Sequence, residues 1–257
     1  MIRATVIGWP IAHSKSPLIH TYWIQKYGLN GTYDKTAVHH DDLPAFVDQA
    51  WDRGLAGFNA TIPHKQALLK LIEPDDRARA IGAINTVYRT PKGWIGTNTD
   101  GLGWWRALNL STIPKSALIL GAGGAARALI HTLFLKGVKI HVANRTRAKA
   151  EAMGQRVLEW PGYEIDGRGF DLIVNTSACG MNGENPLTLT HLDPGTLVSD
   201  LVYTPLRTRF LASAEDRGGI AIDGLGMLLH QAAGGFEKWF GIHPEITEDL
   251  RQMVLEA

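Results

Sequence analysis

The sequence predicts an α/β protein with mainly parallel sheets, divided into two domains and ending in a pair of helices. Short strand-like runs alternate with segments of helical spacing along the whole chain, which is the pattern of α/β folds. A glycine-rich turn stands between an apolar strand and a helix in the middle of the chain. The length of 257 residues suits one large or two modest domains, and this mid-chain turn favours two.

The individual elements follow from local patterns. Apolar and β-branched runs predict strands at residues 4–8, 31–38, 54–59, 84–88, 117–120, 139–143, 171–175, 196–201 and 220–222. Apolar residues at helical spacing predict helices at residues 17–26, 43–53, 124–136, 147–158, 225–240 and 246–255. A self-contained strand, turn and helix begin directly after residues 101–114, so we place a boundary there. The predicted domains are 1–103 and 104–224, and the helices of 225–257 are expected to return to the first domain.

Composition excludes several functional classes. A net charge of +1 gives no electrostatic reason to expect nucleic acid or an anionic membrane as a partner. No apolar run approaches the roughly 18 residues that span a bilayer, and no apolar leader follows Met1. Cys179 is the single cysteine, so no intramolecular disulfide is possible. We therefore expect a cytoplasmic protein with a small-molecule substrate, and the sequence leaves open whether it is a monomer or a homodimer. His39, His40 and His64 show no metal-ligand spacing, and no metal is predicted.

Residues 121–126 form a G-x-G-x-x-A turn between the apolar strand 117–120 and a helix. Gly121 allows the tight bend, Gly123 lets a pyrophosphate approach the backbone, and the small side chain of Ala126 lets helix and strand pack closely. A glycine turn with only a structural role is the alternative. The strand before it and the helix after it favour a dinucleotide site in a Rossmann-type domain.

The second strand of this unit ends in basic and polar residues where an NAD-preferring site usually offers an acid. Arg145 can face a 2′-phosphate with its planar guanidinium, Thr146 can add a hydroxyl, and Lys149 adds charge. The alternative is a solvated basic helix start, which the helix dipole disfavours. The pattern therefore favours NADP over NAD.

Polar residues also follow two predicted strands of the first domain. They are Asn59, Thr61, Pro63 and Lys65 in one segment, and Asn98, Thr99, Asp100 and Gly101 in the other. Ligands of open α/β sheets bind beyond the carboxyl ends of strands, so these clusters are candidates for a substrate site. Pro63 is expected to place Lys65 in the first turn of a helix, where a nearby carboxylate such as Asp100 would favour the ammonium. A solvent-facing Lys65 and an Asp-Gly turn at Asp100 are the structural alternatives.

Two serines precede the first predicted helix. Ser16 followed by Pro17 is typical of a helix N-cap and first turn. Ser14 is not explained by that cap. Two hydroxyls at a helix start are suited to binding a substrate carboxylate, assisted by the helix dipole.

The order of these motifs resembles the shikimate dehydrogenase family over nearly the whole chain. The matching segments are residues 8–17 with Ser14 and Ser16, 59–65 (NATIPHK), 82–86 (GAINT), 96–101 (GTNTDG), 121–125, 144–146, and 223–227 with Gln231. The resemblance implies an N-terminal α/β substrate domain, a Rossmann-type NADP-binding domain, and C-terminal helices that return to the substrate domain. It also implies reversible reduction of 3-dehydroshikimate to shikimate with NADPH, a step of chorismate and aromatic amino-acid biosynthesis.

The resemblance further implies roles for individual residues. Lys65 and Asp100 would be catalytic. Shikimate contacts would come from Ser14, Ser16, Thr61, Lys65, Asn85, Asp100, Tyr203 and Gln231. NADP contacts would come from Asp76, Gly121, Ala122, Gly123, Gly124, Ala125, Asn144, Arg145, Thr146, Lys149, Leu201 and Gly224. The Trp104-Trp105 pair is atypical and is expected to be core or to lie at the seam between domains.

Three alternatives stay open at this point. A quinate or dual quinate/shikimate dehydrogenase would share the fold and the Lys65–Asp100 pair, although Arg145 argues against an NAD-linked form. A methylenetetrahydrofolate dehydrogenase relative would need a pterin site, which these motifs do not show. A non-catalytic NADP-binding module is the third alternative, and retention of both Lys65 and Asp100 counts against it.

Overall fold

The computed structural model describes residues 1–257 and divides them into two compact units. The first unit comprises Met1–Gly103 and Leu229–Ala257, and the second comprises Trp104–Leu228. The C-terminal segment of the first unit thus starts four residues after the predicted start at 225. The predicted fold class, α/β with mainly parallel sheets, is confirmed. None of the helices is long and apolar enough to span a membrane.

The strands are β1 (Ile2–Gly8), β2 (Gly31–Ala37), β3 (Gly57–Ala60), β4 (Glu73–Pro74), β5 (Thr86–Thr90), β6 (Gly93–Thr97), β7 (Ser116–Leu120), β8 (Lys139–Ala143), β9 (Arg156–Leu158), β10 (Glu164–Asp166), β11 (Leu172–Asn175), β12 (Thr188–His191), β13 (Leu197–Asp200) and β14 (Ile220–Ile222). The helices are α1 (Ser16–Lys26), α2 (Leu43–Asp52), α3 (Asp76–Ile81), α4 (Asp100–Leu108), α5 (Gly124–Leu135), α6 (Arg147–Glu151), α7 (Arg209–Glu215), α8 (Gly224–Phe240) and α9 (Glu248–Glu256). Short 3₁₀ helices lie at His40–Asp42, Ala67–Lys70 and Met181–Gly183.

The first unit is built on a six-stranded sheet in the order β2-β1-β3-β5-β6-β4. Strand β1 runs parallel to both of its neighbours, whereas β5 is antiparallel to β3 and β6. A buried cluster that includes Ile7, Val47 and Phe58 forms one core of this unit. Parallel pairing of β1, β2 and β3 brings the carboxyl ends of these strands to one edge, where the polar segment after β3 begins.

The second unit contains a fully parallel six-stranded sheet in the order β14-β13-β11-β7-β8-β9. Read from the other edge, this is the strand order of a Rossmann fold. The central strands β7 and β11 are buried on both faces, which is why they read as continuous apolar runs. A separate two-stranded sheet joins β10 and β12. Trp104 is buried, as predicted, and its Nε1 donates to Ser199 Oγ at 3.1 Å.

One predicted helix differs from the structure, and two kinds of local feature were not predicted. The helix predicted at 147–158 ends at Glu151, because Gly154 adopts a φ of +67° and the chain then enters strand β9. Antiparallel pairing of β5 with β6 was not predicted. Helices α3, α4 and α7 also lie in segments for which no helix was predicted, since each has ten residues or fewer and little room for a periodic pattern.

Candidate active site

Lys65 and Asp100 form an ion pair in the first unit. Lys65 Nζ donates to Asp100 Oδ2 at 2.6 Å, and the side chains are 19% and 4% exposed, respectively. The two residues are 35 positions apart in sequence, so the fold and not local geometry brings them together. The ammonium is therefore reachable from solvent, whereas the carboxylate is held inside.

The position of Asp100 is set by the start of helix α4. Its backbone N–H donates to Asn98 Oδ1 at 3.0 Å, and its Oδ1 accepts from Asn85 Nδ2 at 2.7 Å. A carboxylate in the first turn of a helix is also stabilised by the helix dipole. The alternative of a surface Asp-Gly turn is wrong, because Asp100 is 3% exposed and belongs to a helix.

Asn85 connects this ion pair to the rest of the site. Asn85 Nδ2 also donates to Thr99 Oγ1 at 3.0 Å and to Gln231 Oε1 at 3.4 Å, and Asn85 Oδ1 accepts from the backbone N–H of Thr99 at 2.9 Å. Gln231 lies on α8, so the C-terminal segment of the first unit reaches the same network. Four of the predicted substrate residues, Lys65, Asn85, Asp100 and Gln231, are thus joined by hydrogen bonds. Thr99 belongs to the polar segment that was predicted as part of a substrate site, although the family resemblance implied no individual role for it.

The segment that carries Lys65 is a turn and not a helix. The 3₁₀ helix begins only at Ala67, so the expectation that Lys65 occupies the first turn of a helix is wrong. His64 Nε2 lies 2.9 Å from the carbonyl oxygen of Val38, and the carbonyl of Lys65 accepts from the N–H of Ile84 at 2.7 Å. Burial lowers the pKa of His64, which keeps its imidazole neutral beside Lys65. These two contacts hold the turn against the residue that follows β2 and the segment that precedes β5.

Ser14 and Ser16 lie at the start of α1, and neither is its N-cap. Ser16 is the first residue of α1 and not its N-cap, and its backbone N–H donates to Ser14 Oγ at 3.3 Å. The cap prediction for Ser16 is therefore wrong, because Lys15 is the N-cap of α1 and no side chain caps this helix. Ser16 is a buried residue, and its hydroxyl makes no hydrogen bond within the chain. Accepting from Ser16 leaves the Ser14 O–H available as a donor.

Thr61 follows strand β3 and is half-buried. Its backbone N–H donates to the carbonyl of Ile7 at 2.9 Å, and its methyl group lies 2.5 Å from the position of a Cβ added at Gly8. A side chain at position 8 would thus displace Thr61. This close approach links residues 8–17, which contain both serines, to the segment that carries Lys65.

The glycine turn of the second unit has the shape that a pyrophosphate requires. Gly121 has a φ of +117°, and a Cβ there would lie 2.5 Å from Thr176 Oγ1, so only glycine fits. Gly123 is the N-cap of the 12-residue helix α5, and no atom lies within 4 Å of where its Cβ would be. Open space in front of a helix N-terminus is the arrangement that receives phosphate groups.

The basic segment after β8 contains one cation that is paired within the chain and two whose side chains are unpaired. Arg147 pairs with Glu151 at 2.8 Å and also with Glu159. Arg145 and Lys149 are exposed, and their side chains form no ion pair or hydrogen bond within the chain. No acid terminates β8. The unpaired side chains of Arg145 and Lys149 are therefore the ones available to a 2′-phosphate.

The remaining predicted residues lie in different parts of the chain. A Cβ at Gly224 would overlap the carbonyl oxygen of Leu201, so these two lie in contact within the second unit. Tyr203 follows Leu201 by two residues, and burial raises the pKa of its hydroxyl. Asp76 is exposed at the start of α3 in the first unit, outside the unit that holds the glycine turn. Asn144 Nδ2 donates to the carbonyl of Thr146 at 2.9 Å and orders the basic segment.

Away from these residues, His39, His40 and Asp41 bring possible ligand atoms within 4.8 Å of one another at the surface. His39 Nδ1 lies 3.3 Å and His40 Nε2 3.5 Å from the Asp41 carboxylate. The sequence spacing gave no reason to group these side chains. The expectation of a metal-free protein stays a prediction.

Three protein-family models match the chain. The substrate-binding domain of shikimate dehydrogenase matches residues 6–87, the shikimate/quinate 5-dehydrogenase model matches residues 107–164, and the C-terminal domain of shikimate 5′-dehydrogenase matches residues 224–253. The matched segments thus include the Lys65 turn, the glycine turn and α8. Asp100 lies between the first two matches.

Individual relatives match over nearly the full length. A shikimate dehydrogenase (NADP(+)) of Nitrobacter winogradskyi is 45% identical over 98% of this chain and 95% of its own. Among solved structures, shikimate 5-dehydrogenase from Thermus thermophilus in complex with NADP(H) and shikimate superimposes with a TM-score of 0.90 at 34% identity, covering 100% of this chain and 99% of that chain. The ligand-free 5-ketofructose reductase of a Gluconobacter strain superimposes with a TM-score of 0.89 at 31% identity, covering 99% and 98%.

Proposed function

The chain belongs to the shikimate dehydrogenase family, and we propose that it catalyses the reversible NADP-dependent reduction of 3-dehydroshikimate to shikimate. The observation that carries the proposal is the ion pair of Lys65 and Asp100, tied to Asn85 and Gln231 in one network. The likeness to a 5-ketofructose reductase means that the fold alone does not select the substrate. The residues around Lys65 must therefore select the substrate.

Lys65 and Asp100 supply the acid–base chemistry of this reaction. Bound NADPH supplies the hydride that reduces the ring ketone. The ammonium of Lys65 stabilises the negative charge that develops on the ketone oxygen, and the pair delivers the proton that this oxygen takes up. Each carboxylate oxygen of Asp100 accepts one side-chain hydrogen bond, from Lys65 or from Asn85, which leaves acceptor capacity for a substrate hydroxyl.

The other polar residues of the first unit account for the ring substituents. We assign the ring carboxylate to the hydroxyls of Ser14 and Ser16, because both O–H groups are free to donate at the start of α1. We assign the ring hydroxyls to Thr61, Asn85, Asp100 and Gln231, with Tyr203 as a further contact. Asn85 is held rigidly by its neighbours, so it is preorganised for this role.

The residues present fit NADP. We assign the pyrophosphate to the turn of Gly121, Ala122, Gly123, Gly124 and Ala125, where the helix N-terminus is open. We assign the 2′-phosphate to Arg145, Thr146 and Lys149, with Asn144 shaping the segment. Leu201 and Gly224 are assigned to the cofactor because they lie together beyond β13. We also assign Asp76 to the cofactor, as the family resemblance implies. A cytoplasmic monomer or homodimer remains our expectation.

The test is a set of four initial rates, with NADPH and NADH each offered 3-dehydroshikimate and 3-dehydroquinate. We expect the fastest reduction with NADPH and 3-dehydroshikimate. A higher rate with 3-dehydroquinate would make the protein a quinate dehydrogenase, and a preference for NADH would contradict the role of Arg145. NADPH binding with no turnover on either substrate would favour a non-catalytic module.

A further inference from the structure

A buried carboxylate in the second unit has no part in the site described above. Asp200 ends strand β13, is fully buried and belongs to no ion pair. Its Oδ1 accepts from Asn175 Nδ2 at 2.9 Å and from the N–H of Val202 at 3.0 Å, and its Oδ2 accepts from Thr208 Oγ1 at 2.7 Å. A carboxylate is costly to bury without a cation, so a specific arrangement of donors must hold it there.

The first of these donors controls the loop after β11. Asn175 Oδ1 accepts from the backbone N–H of Ser177 at 3.0 Å, and Asn175 Nδ2 also donates to the carbonyl of Cys179 at 3.0 Å. The amide thereby closes the loop of residues 176–179 on itself. Thr176 Oγ1 lies 2.5 Å from where a Cβ of Gly121 would be, so this loop packs directly against the glycine turn. Asp200 fixes which way the Asn175 amide points.

The other two donors enclose a second loop. Val202 and Thr208 both donate to Asp200, so the segment of residues 201–208 starts and ends on the same carboxylate. Thr208 also accepts from the N–H of Leu211 at 3.3 Å, which begins helix α7. Leu201 and Tyr203 both lie at the start of this loop. Their backbone is therefore held by the hydrogen bonds of Val202 and Thr208 to Asp200.

We propose that Asp200 is a positioning residue that holds the loops 176–179 and 201–208 in the conformation required for NADP binding. It acts through Asn175 on the loop beside the glycine turn, and through Val202 and Thr208 on the loop that carries Leu201. The proposal rests on the proposed function only in that the cofactor contacts of Gly121 and Leu201 are those assigned above.

The protonation of Asp200 determines the choice of variants. Burial raises the pKa of Asp200 to about 6, so its neutral form is accessible near neutral pH. A neutral acid keeps both bonds at Oδ1 and donates its own proton to Thr208, whose hydroxyl can accept as well as donate. Asparagine has the same shape and can donate in the same place. Alanine leaves all three donors without an acceptor.

The experiment compares Asp200→Ala with Asp200→Asn and with a matched control at the opposite end of the same sheet. Asp171 Oδ2 accepts from the backbone N–H groups of Lys115 at 2.6 Å and Ser116 at 3.0 Å, so Asp171→Ala also removes a carboxylate that binds backbone donors at a strand end. NADPH binding is measured by fluorescence titration without substrate, and Tm is measured for each variant. We expect about tenfold or greater weakening in Asp200→Ala, and affinity within about threefold of the original chain in Asp200→Asn. Asp171→Ala is expected to lower Tm and to leave NADPH affinity unchanged.

Two results would overturn the proposal. One is unchanged NADPH affinity in Asp200→Ala, and the other is equal weakening in Asp171→Ala, which would show a general loss of stability. If Asp200→Ala does not fold, Thr208→Val removes the bond to Oδ2 together with the hydroxyl that accepts from Leu211, and it must still weaken NADPH binding. An unchanged affinity in Thr208→Val overturns the proposal as well. The titration contains no substrate, so failure to reduce 3-dehydroshikimate contradicts only the proposed function. An original chain that binds no NADPH would contradict both.

Discussion

The imidazole of His20 lies flat against the ring of Tyr33, with centroids 3.9 Å apart and 12° between the planes. His20 is fully buried among Trp23, Phe236 and Trp239 as well, and neither of its ring nitrogens has a hydrogen-bond partner. This aromatic core adjoins the candidate site, because the Tyr33 hydroxyl donates to Asn59 Oδ1 at 2.6 Å.

His20 makes the stability of the protein depend on pH. Burial lowers its pKa from 6.5 to about 3, so between these values the unfolded chain binds a proton that the folded chain does not. The stabilisation by neutral His20 is complete above about pH 6.5 and is lost as the pH falls toward 3. At about pH 4.5 the loss amounts to about 3 kcal/mol. We expect urea unfolding of His20→Phe to show that much less destabilisation between about pH 7.5 and 4.5. His243→Phe, at an exposed histidine, is the control, and an equal effect there would contradict the prediction.

Lys65→Met tests the acid–base role. The substitution keeps the apolar stem and removes the charge that stabilises the developing alkoxide, so the loss should appear in kcat. We expect kcat to fall by about 100- to 10,000-fold with NADPH affinity nearly unchanged. Lys70→Met, at an exposed lysine of the neighbouring 3₁₀ helix, should retain normal turnover. Near-normal turnover in Lys65→Met would leave Asp100 or a bound water as the proton donor.

Arg145→Ala tests cofactor choice. The guanidinium of Arg145 is unpaired within the chain and is assigned to the 2′-phosphate. Its loss should therefore weaken NADP binding by roughly 10- to 150-fold and leave the affinity for NAD unchanged. Arg147→Ala removes an equal charge two residues away, but that guanidinium is already paired with Glu151 and Glu159. We expect a much smaller effect on NADP from Arg147→Ala in parallel titrations. Equal losses for NADP and NAD in Arg145→Ala would remove Arg145 from phosphate recognition.

The two serines should respond differently to alanine. Ser16→Ala removes a hydroxyl with no partner in the chain, so it should raise KM for 3-dehydroshikimate with little change in Tm. Ser14→Ala also removes the acceptor for the Ser16 N–H and should cost about 1 kcal/mol of stability in addition. Initial rates and thermal unfolding measure the two effects. Turnover of shikimamide as fast as shikimate would contradict carboxylate binding by either serine.

Part of the site could be predicted because its motifs are local. Lys65 and Asp100 each follow a strand in a recognisable segment, and the glycine turn is bounded by a strand and a helix. Asp200 and His64 were missed for the opposite reason. Their partners, among them Asn175 and Val38, are 25 and 26 residues away, and a single buried acid or histidine leaves no periodic pattern.

Other predictions were wrong or missing because they depend on the backbone conformation at the ends of helices and strands. The sequence S-K-S-P offers two serines at one helix start, but the backbone makes Lys15 the N-cap, and the N–H of Ser16 donates to Ser14 Oγ. The helix predicted through residue 158 ignored Gly154, although glycine in a helical pattern is a sign of termination. The antiparallel strands β5 and β6 are joined by a two-residue turn at residues 91–92, and such a pair does not fit the alternation of strands and helices from which the fold was predicted.

The second unit is one continuous stretch of chain, whereas the first is completed only by the segment from Leu229 onward. That segment brings Gln231 to Asn85, and Trp239 Nε1 donates to the carbonyl of Val87 at 2.9 Å. On the ribosome, the second unit is therefore fully synthesised before the first has all of its sheet covered. Residues 1–103 can complete their unit only after the last helices have been translated. A premature stop after residue 228 would therefore leave a complete nucleotide-binding unit joined to an incomplete catalytic unit.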